Sequence, residues 1–372
     1  MPGTFIRKNL IIKARKVVIK VGTNAITDQY GHLDEHVVSD LAGQIAAAIR
    51  SGKAVTLVAS GAIGAGLSEL GLSARPKTLP MLQATAAVGQ GQLMRAFYDV
   101  FARHGIKIAQ VLVTRDAFED RSRYLNIRNT LTALARLKVL PIINENDAVA
   151  VDEIRFGDND IIAAHVANLL GADLLVLLTS VEGVLKDGKV VDVIEAVDEK
   201  ALSLATASRS RLGSGGMGSK MAAAGMVTKA GEAVVIANSR SPQILTRLLS
   251  GETVGTVFIP AKRRMSSRRR WIAQAARTHG KIMIDDGAAI ALAERGKSLL
   301  PSGIAGVMGK FAKGATVAVI DSTGRQIARG MTNYSSEEID KIKGLKTAQV
   351  ARLLGDKSCD EVIHRNNMTV NS

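Results

Sequence analysis

Short apolar runs alternate with longer amphipathic stretches over the first 260 residues of the chain. Residues 37–50, 82–104 and 125–137 carry apolar positions at helical spacing, which predicts helices. Buried strands are predicted for the apolar runs at residues 16–21, 54–58, 108–113, 139–143, 174–178 and 233–236. Strands that alternate with helices indicate a mostly parallel sheet covered on both faces. The fold class that we expect here is therefore α/β.

The pattern changes after residue 260. Residues 261–277 are basic and polar, which is typical of a linker. Beyond them, glycines divide short β-type segments from one another, and a single helix is predicted near residues 288–294. The β-type segments lie at residues 281–284, 316–320 and 326–328. We expect an α/β domain over residues 1–260, a basic linker over 261–277 and a small, mainly β domain over 278–372.

The composition supports two domains and limits the classes of function. The chain has 372 residues, of which 47% are hydrophobic, but aromatic residues make up only 3% and offer little to stack on nucleobases. One cysteine, Cys359, excludes an internal disulfide and a cysteine metal cluster and favours a reducing compartment. The amino terminus is too charged for a secretory signal, and no run is long enough to span a bilayer. We expect a soluble, cytoplasmic protein.

The net charge of +15 and the pI near 10.0 are compatible with nucleic acid, an anionic membrane or an anionic small substrate as a partner. Much of the positive charge is concentrated at residues 262–264 and 268–270, so it is partly local. The charge alone is therefore a weak indication of function.

The most informative stretch is IINENDAVAVDEIRFGDNDIIAAHVANLL at residues 142–170. One group of amides and carboxylates, Asn144 to Asp147, follows a predicted strand, and a second, Gly157 to Asp160, begins a helix that ends at Gly171. Ligands of open α/β sheets bind at the carboxyl ends of the strands. A turn and helix caps would explain one or two such residues. The number of polar residues here favours a site for a small molecule that bears an ammonium and a carboxylate.

Three further segments have features of anion-binding sites. Lys20 ends the first predicted strand, and Ser60-Gly61 follows the second, where small residues let backbone N–H groups approach an anion. Residues 213–220, GSGGMGSK, form a glycine-rich segment with Lys220 at the start of a helix, which is typical of a phosphate site. No strand precedes this segment, and its lysine and serine stand in the reverse of the P-loop order, so it is neither a dinucleotide nor a P-loop motif. The alternatives are a solvated lysine, tight helix packing and a surface loop.

Histidine offers no catalyst that the sequence can support. The six histidines are scattered, and none pairs with a cysteine or an acidic cluster at metal-ligand spacing. We predict that His165, in the middle of a helix, packs in the interior. A Ser-His-Asp arrangement has no support in the sequence either.

Taken together, these segments resemble the amino acid kinase family, and within it the kinases that act on free L-glutamate. The combination of NENDAV with GDND is more specific than any single motif. The matching segments are IKVGTN at 19–24, ASGAIGAG at 59–66, AAVGQGQL at 86–93, LVTRDAFEDRSRYLNIRNT at 112–130, NENDAV at 144–149, GDND at 157–160 and GSGGMGSK at 213–220. The later segments RRRWI at 268–272, SLLPSGI at 298–304 and IARGMTNYSS at 327–336 resemble a PUA domain.

The resemblance implies a three-layer kinase domain that uses ATP and Mg²⁺ to phosphorylate the γ-carboxylate of L-glutamate, the step that opens proline synthesis. It implies that Lys20 and Lys220 hold the transferring phosphoryl group and that Asp160 orients both lysines. The implied substrate-binding residues are Ser60, Gly61, Asn144, Asp147 and Asn159. The implied ATP-binding residues are Lys20, Thr179, Ser180, Ser214, Gly215, Gly216, Met217, Gly218, Ser219 and Lys220. Residues that bind a metal are not identified.

The sequence departs from the family pattern at two positions. Thr179-Ser180 stands where related kinases commonly have Thr-Asp, so a carboxylate that would serve the nucleotide or metal-bound water is missing. Ala59 replaces a frequent threonine before Ser60, which we expect to have little effect. The family also suggests feedback inhibition by proline and homo-oligomers, a dimer or a tetramer. No membrane partner is expected.

Two alternatives remain at this point. One is a related kinase for N-acetylglutamate, aspartate, carbamate or a nucleotide, which the PUA-like segment and the NENDAV and GDND motifs disfavour. The other is an RNA-binding or RNA-modifying protein, suggested by the same PUA-like segment and by the positive charge. Intact Lys20, Asp160 and Lys220 favour the kinase.

Overall fold

The computed structural model describes residues 2–28, 31–150, 159–206, 216–262, 264–354 and 359–370. The chain divides into two compact units. The first comprises residues 1–118 and 122–264, and the second comprises residues 119–121 and 265–372. Among the described residues, no helix combines the length and the apolar character that crossing a membrane requires.

The first unit is built on an eight-stranded sheet in the order β3-β4-β2-β1-β5-β9-β10-β8. The strands are β1 Lys16–Val21, β2 Ala54–Ala59, β3 Ile108–Val113, β4 Leu140–Glu145, β5 Leu174–Thr179, β8 Val193–Ile194, β9 Ala233–Asn238 and β10 Thr256–Phe258, and β6 Leu185–Lys186 pairs with β7 Lys189–Val190 in a separate hairpin. Neighbouring strands are parallel except for β10, which runs antiparallel to β9. Strand β1 lies between β2 and β5, at the centre of the sheet.

The described part of this unit contains eleven helices, of which α6 and α7 each include one residue of the segment 119–121 that is assigned to the second unit. They are α1 Pro2–Ile12, α2 Thr23–Ile26, α3 Glu35–Arg50, α4 Ala62–Glu69, α5 Leu79–Ala102, α6 Arg115–Glu119, α7 Arg121–Arg136, α8 Asn159–Leu170, α9 Glu199–Thr206, α10 Met217–Ala230 and α11 Ile244–Leu249. Asp34 caps α3 by accepting from the N–H groups of His36 and Val37.

The alternation of β1 determines which side chains face the site. Val17, Ile19 and Val21 belong to the apolar core that also contains buried residues of α3 and α5. Because successive side chains of a strand point to opposite faces, Lys20 points to the other face. Helix α8 packs against β1, β5 and β2 and is not part of that core cluster. Lys20 is therefore directed towards α8 even though it lies in a central strand.

The observed elements confirm the α/β pattern that the sequence predicts, with two differences. The sequence pattern predicts no strand of the sheet after β9, but β10 follows it in the chain and pairs with β8, which forms the edge of the sheet. Both additional strands are only two or three residues long, too short to give a periodic signal. Strands β6 and β7 form a hairpin whose turn is Asp187-Gly188.

The second unit contains a five-stranded sheet in the order β12-β11-β13-β14-β15, in which only β11 and β13 are parallel. Its elements are α12 Ser267–Gln274, β11 Lys281–Ile284, α13 Asp286–Ala293, β12 Ile304–Met308, β13 Thr316–Ile320, β14 Gln326–Met331, α14 Ser336–Ile342, α15 Thr347–Leu354 and β15 Met368–Val370. Helix α12 lies within the stretch for which the sequence predicts a linker. Helix α14, which the sequence analysis did not predict, begins with a capping box between Ser335 and Glu338.

Candidate functional site

Three elements of the first unit bring two lysines to one buried carboxylate. The Nζ atom of Lys20, near the end of β1, lies 2.6 Å from Oδ1 of Asp160, the second residue of α8. The Nζ atom of Lys220, in the first turn of α10, lies 3.0 Å from Oδ2 of the same carboxylate. The hydroxyl of Ser219 also donates to Oδ2, at 2.9 Å. We call these four residues the lysine–aspartate network.

The electrostatics of this network favour a bound anion. Burial alone would raise the pKa of Asp160, but the two ammonium groups outweigh burial and lower it to about 2. Burial lowers the pKa of Lys220, and the Asp160 carboxylate opposes that shift. One carboxylate thus faces two lysines, which leaves positive charge at the carboxyl edge of the sheet. Buried ion pairs contribute little net stability. The two lysine–Asp160 pairs are therefore better explained by binding of an anion than by stabilisation of the fold.

The glycine-rich segment leads directly into this network. Gly216 is the N-cap of α10 and provides no side-chain hydrogen bond, so the first N–H groups of the helix are left without a side-chain cap. Met217 is buried, whereas Gly218 is exposed. Ser214 and Gly215, both predicted to bind ATP, lie outside the described residues, as do Gly157, Asp158 and Gly213.

A second set of side chains, all neutral, includes Asn159, the residue before Asp160. Asn159 Nδ2 donates to Ser60 Oγ at 2.9 Å and to Asn144 Oδ1 at 3.0 Å. Asn144 Nδ2 donates in turn to Gln90 Oε1 at 2.8 Å. We call Gln90, Asn144, Asn159 and Ser60 the amide network. The sequence predicts three of these residues but not Gln90, although Gln90 lies in a segment that carries the family resemblance.

Gln90 reaches Asn144 because α5 runs unusually close to α4. A Cβ atom on Gly89 would lie 1.8 Å from the carbonyl oxygen of Ala62, and one on Gly66 would lie 1.9 Å from that of Thr85. Glycine at both positions therefore allows the backbones to touch. Gly61, the N-cap of α4, has φ of 117°, a left-handed conformation that favours glycine. Ser60, which lies between β2 and Gly61, is in this way held within hydrogen-bond distance of Asn159.

Asp147 lies in the turn after β4. Burial raises its pKa to about 6, and the charge of Arg75 partly opposes this shift. The carboxylate is half-buried, so a cationic partner would stabilise its charged form.

Thr179 and Ser180 mark the end of β5, next to β1 in the sheet. The carbonyl oxygen of Thr179 accepts hydrogen bonds from the backbone N–H and the hydroxyl of Ser239. Ser180 is exposed. Glu182, two residues further on, accepts from Asn238 Nδ2 at 2.7 Å. These residues therefore lie along the same edge of the sheet as Lys20, without a direct contact to it among the described hydrogen bonds.

His165 packs in the interior, as predicted. Its ring stacks on Phe118 with centroids 5.0 Å apart and an angle of 14° between the planes. Burial, assisted by the charge of Arg115, lowers its pKa to about 4. The imidazole is therefore neutral at pH 7, and the ring contact described for it is with Phe118, which belongs to neither network.

The described residues do not offer a protein cage for a metal ion. Among them, no group of three or more histidine, cysteine, aspartate or glutamate side chains is placed to hold a metal. The most buried carboxylate, Asp160, is already paired with both lysines. The arrangement can instead bind an anion at the lysines and hydrogen-bond a small polar molecule at the amides.

Comparisons with known proteins show which families the chain is similar to. Residues 15–238 match the model described as "Amino acid kinase family", and residues 280–354 match the model described as "PUA domain". A glutamate 5-kinase from Caldanaerobacter subterraneus subsp. tengcongensis is 46% identical over 362 residues, which cover 95% of this chain and 97% of the relative. One from Moorella thermoacetica is 44% identical over 96% of this chain and 97% of the relative. One from Geobacter sulfurreducens is 42% identical over 98% of this chain and the full length of the relative.

Proposed function

The chain belongs to the amino acid kinase family and carries a PUA domain, and from this premise we propose that it is the kinase of free L-glutamate. It transfers the γ-phosphoryl group of ATP to the γ-carboxylate of L-glutamate. The products are ADP and L-glutamyl 5-phosphate, and the reaction is the first step of proline biosynthesis. The near-complete coverage of glutamate 5-kinases at 42–46% identity supports the reaction.

The observation that carries this proposal is the pair of lysines held on one buried carboxylate beside a neutral amide network. A carboxylate oxygen of glutamate attacks the γ-phosphorus of ATP, a new oxygen–phosphorus bond forms, and the bond to the β,γ-bridging oxygen breaks. The electron pair of that bond leaves with ADP. The nucleophile is already an anion at pH 7, so the reaction needs no general base. The neutral His165 is therefore not needed as a base.

The lysine–aspartate network acts on charge. We assign Lys20 and Lys220 to the phosphoryl oxygens, on which negative charge is spread during transfer. Asp160 holds both ammonium groups in position at the carboxyl edge of the sheet. The uncapped start of α10 adds backbone N–H groups on the same side. Thr179, Ser180 and residues 214–219 would lie along ATP.

The amide network and Asp147 bind glutamate in this proposal. Asp147 pairs with the α-ammonium, which favours the charged form of a carboxylate whose pKa burial has raised. Ser60, Gly61 and Asn159 supply further hydrogen bonds to the polar groups of glutamate. Mg²⁺ would be bound through the oxygens of ATP, because the described protein residues do not provide a ligand cluster. When bound, it neutralises charge on the polyphosphate.

Several predictions from the sequence stay proposals of the same kind. L-Proline, as the end product with the same α-carboxylate and an amino nitrogen, is proposed as a feedback inhibitor. A homo-oligomer is proposed, to be tested by light scattering during gel filtration. The domain boundaries of 260 and 278 and a cytoplasmic location also stay predictions. Affinity for RNA that falls steeply with salt would support an additional binding function for the PUA domain.

The test of the proposed function is ADP release from Mg·ATP with a panel of acceptors. The panel contains L-glutamate, N-acetyl-L-glutamate, L-aspartate, carbamate and UMP, with hydroxylamine present to trap an acyl phosphate. We expect turnover with glutamate, accumulation of the hydroxamate and slowing by proline. Turnover with another acceptor at a higher kcat/KM would contradict the substrate assignment. Folded protein that turns over none of them and binds RNA would contradict the kinase assignment itself.

A further inference from the structure

In the amide network, each amide has a defined orientation of its oxygen and nitrogen, and the backbone N–H of Glu145 fixes that of Asn144. The N–H of Glu145 donates to Asn144 Oδ1 at 2.8 Å. A backbone N–H can only donate, so an oxygen must occupy this position of the Asn144 amide. The other end of the amide is then the nitrogen, which donates to Gln90 Oε1. The orientation of Asn144 therefore follows from a donor that cannot act as an acceptor, and not from a choice between two equivalent amide rotations.

The fixed direction continues into Asn159. Asn144 Oδ1 can only accept, so the group of Asn159 that faces it is Nδ2. The same nitrogen donates to Ser60 Oγ. Asn159 Oδ1 must therefore point the other way. Asn159 is only 7% exposed, and among the described residues its Oδ1 atom has no hydrogen-bond partner. A buried, unpaired acceptor of this kind calls for a donor from a ligand.

From this geometry we infer that Gln90 and Asn144 form a positioning relay that holds Asn159 Oδ1 towards the substrate as an acceptor for its α-ammonium group. The inference rests on the proposed function, because it takes a free amino acid as the substrate. It gives Asn144 a different role from the direct contact expected from the sequence. Asn144 is 2% exposed, its oxygen accepts two hydrogen bonds and its nitrogen donates to Gln90.

The relay explains how the site would distinguish a substrate with an ammonium from one without it. If Asn144 lost its acceptor at Gln90, its Nδ2 would be buried without that partner, and only the contacts at its oxygen would hold the side chain in place. Asn159, which donates to that oxygen, would then be held less precisely, and its Oδ1 atom would shift relative to the ammonium. A shifted acceptor weakens the contact with an ammonium, whereas a methylene group makes no such contact. Loss of the relay should therefore weaken glutamate more than glutarate, the same diacid without the amino group.

The first test replaces Gln90 by Met, which has similar size and no oxygen. We expect KM for L-glutamate to rise about tenfold, the inhibition constant of glutarate to change less than about twofold, and kcat and KM for ATP to stay within about twofold. Gln90→Glu keeps an acceptor oxygen and should restore KM for glutamate to within about threefold of the wild-type value. Gln92→Met is the matched control, because it makes the same change on the same helix outside the amide network.

The second test uses direction alone. In Asn144→Asp, both carboxylate oxygens accept, and Gln90 can turn its amide to donate to one of them. Combining Asn144→Asp with Gln90→Glu places two carboxylate oxygens opposite each other, 2.8 Å apart in the present geometry, where they repel each other unless they share a proton, so affinity is measured as a function of pH and compared at the highest pH at which the protein is folded. We expect the double variant to lose at least tenfold more glutamate affinity than the product of the two single effects. Thermal melting of each variant verifies that it is folded.

Three outcomes would overturn the relay. They are equal weakening of glutamate and glutarate in Gln90→Met, an effect of Gln90→Glu as large as that of Gln90→Met, and additive effects in the double variant. The wild-type protein separates this failure from failure of the proposed function. If wild type phosphorylates glutamate and the variants behave in one of these three ways, the relay is wrong and the kinase assignment stands.

Discussion

Two residues that are adjacent in the chain belong to networks of opposite character. Asp160 is fully buried between two ammonium groups and makes charged contacts. Asn159, one position earlier in the first turn of α8, contacts only uncharged amides and a hydroxyl among its described hydrogen bonds. Successive residues of a helix are separated by about 100° around its axis, so the start of one helix can present two neighbouring residues to two different networks.

The difference between the networks shows how the site divides its work. The lysine–aspartate network has excess positive charge and little directional selectivity, which suits a phosphoryl group whose charge is spread over several oxygens. The amide network has no charge of its own, and its selectivity comes from which end of each amide faces the ligand. Changes to the first should therefore act mainly on kcat, and changes to the second mainly on KM for glutamate.

The largest expected effect tests the charged side of this comparison. Lys220→Ala removes one of the two cations, so we expect kcat to fall by about 10²–10³-fold while KM for glutamate changes less than about threefold. Steady-state kinetics with each substrate varied in turn measures both. Lys229→Ala, an exposed lysine of the same helix, is the control and should have no effect. A large rise in KM for glutamate with kcat preserved would contradict the assignment of kcat to the lysine–aspartate network and of KM to the amide network.

The next effect tests whether the amide network depends on the contact between α4 and α5. In Gly89→Ala, the added methyl group would lie 1.8 Å from Ala62 O and 2.2 Å from Gly66 N, so the helices must separate. We expect the free energy of unfolding to fall by about 3 kcal/mol and KM for glutamate to rise, because Gln90 moves with α5. Urea denaturation and kinetics measure the two quantities.

Gly91 provides the control for this prediction. Apart from its chain neighbours and the backbone of its own helix, a Cβ atom there would meet no described atom within 4 Å, and the residue lies in the same helix. Gly91→Ala should raise the free energy of unfolding by about 0.5–1 kcal/mol through the lower entropy of the unfolded chain. Equal destabilisation in both variants would mean that close helix contact is not the cause.

A smaller effect comes from Asp147. Its pKa of about 6 means that the carboxylate is mostly charged at pH 7 and mostly protonated at pH 5. Since only the charged form pairs with an ammonium, KM for glutamate should rise roughly tenfold between pH 7 and pH 5. Asp147→Asn should have a high KM that is nearly independent of pH in this window. A wild-type KM that stays flat down to pH 5 would contradict the assignment of Asp147 to the ammonium.

The smallest expected effect concerns Ser219. Its hydroxyl donates to Asp160 at 2.9 Å but carries no charge. We expect Ser219→Ala to lower kcat about fivefold, which corresponds to roughly 1 kcal/mol for one hydrogen bond. A decrease as large as that of Lys220→Ala would mean that the hydroxyl contacts the phosphoryl group itself.

Local sequence patterns point to Lys20, Asp160 and Lys220 one by one, whereas the family resemblance links them in one network. Lys20 ends an apolar strand, Asp160 begins a helix, and Lys220 follows a glycine-rich segment, so each residue has a local signal. Chain topology then brings the ends of these elements to one edge of the sheet.

Gln90 had no local signal of its own. It lies in a 24-residue helix with several polar residues, and helical periodicity does not say which of them meets a strand that is 54 positions away in the chain. The contact depends on the close approach of α4 and α5 through Gly66 and Gly89, a tertiary property. The direction of the amides depends further on one backbone N–H, which no residue type reveals.

The central position of β1 has a consequence for the synthesis of the chain. This strand emerges first, pairs with β2 on one side, and gains its other neighbour, β5, only when residues 174–179 have been made. At about 5–20 residues per second, the roughly 115 residues between β2 and β5 take roughly 6–23 s to translate. During that time the unpaired edge of an apolar strand is available for wrong pairing. Ribosome-bound chains stalled before β5 should therefore be more sensitive to protease than chains stalled well beyond it, and equal sensitivity would show that the nascent edge is already protected.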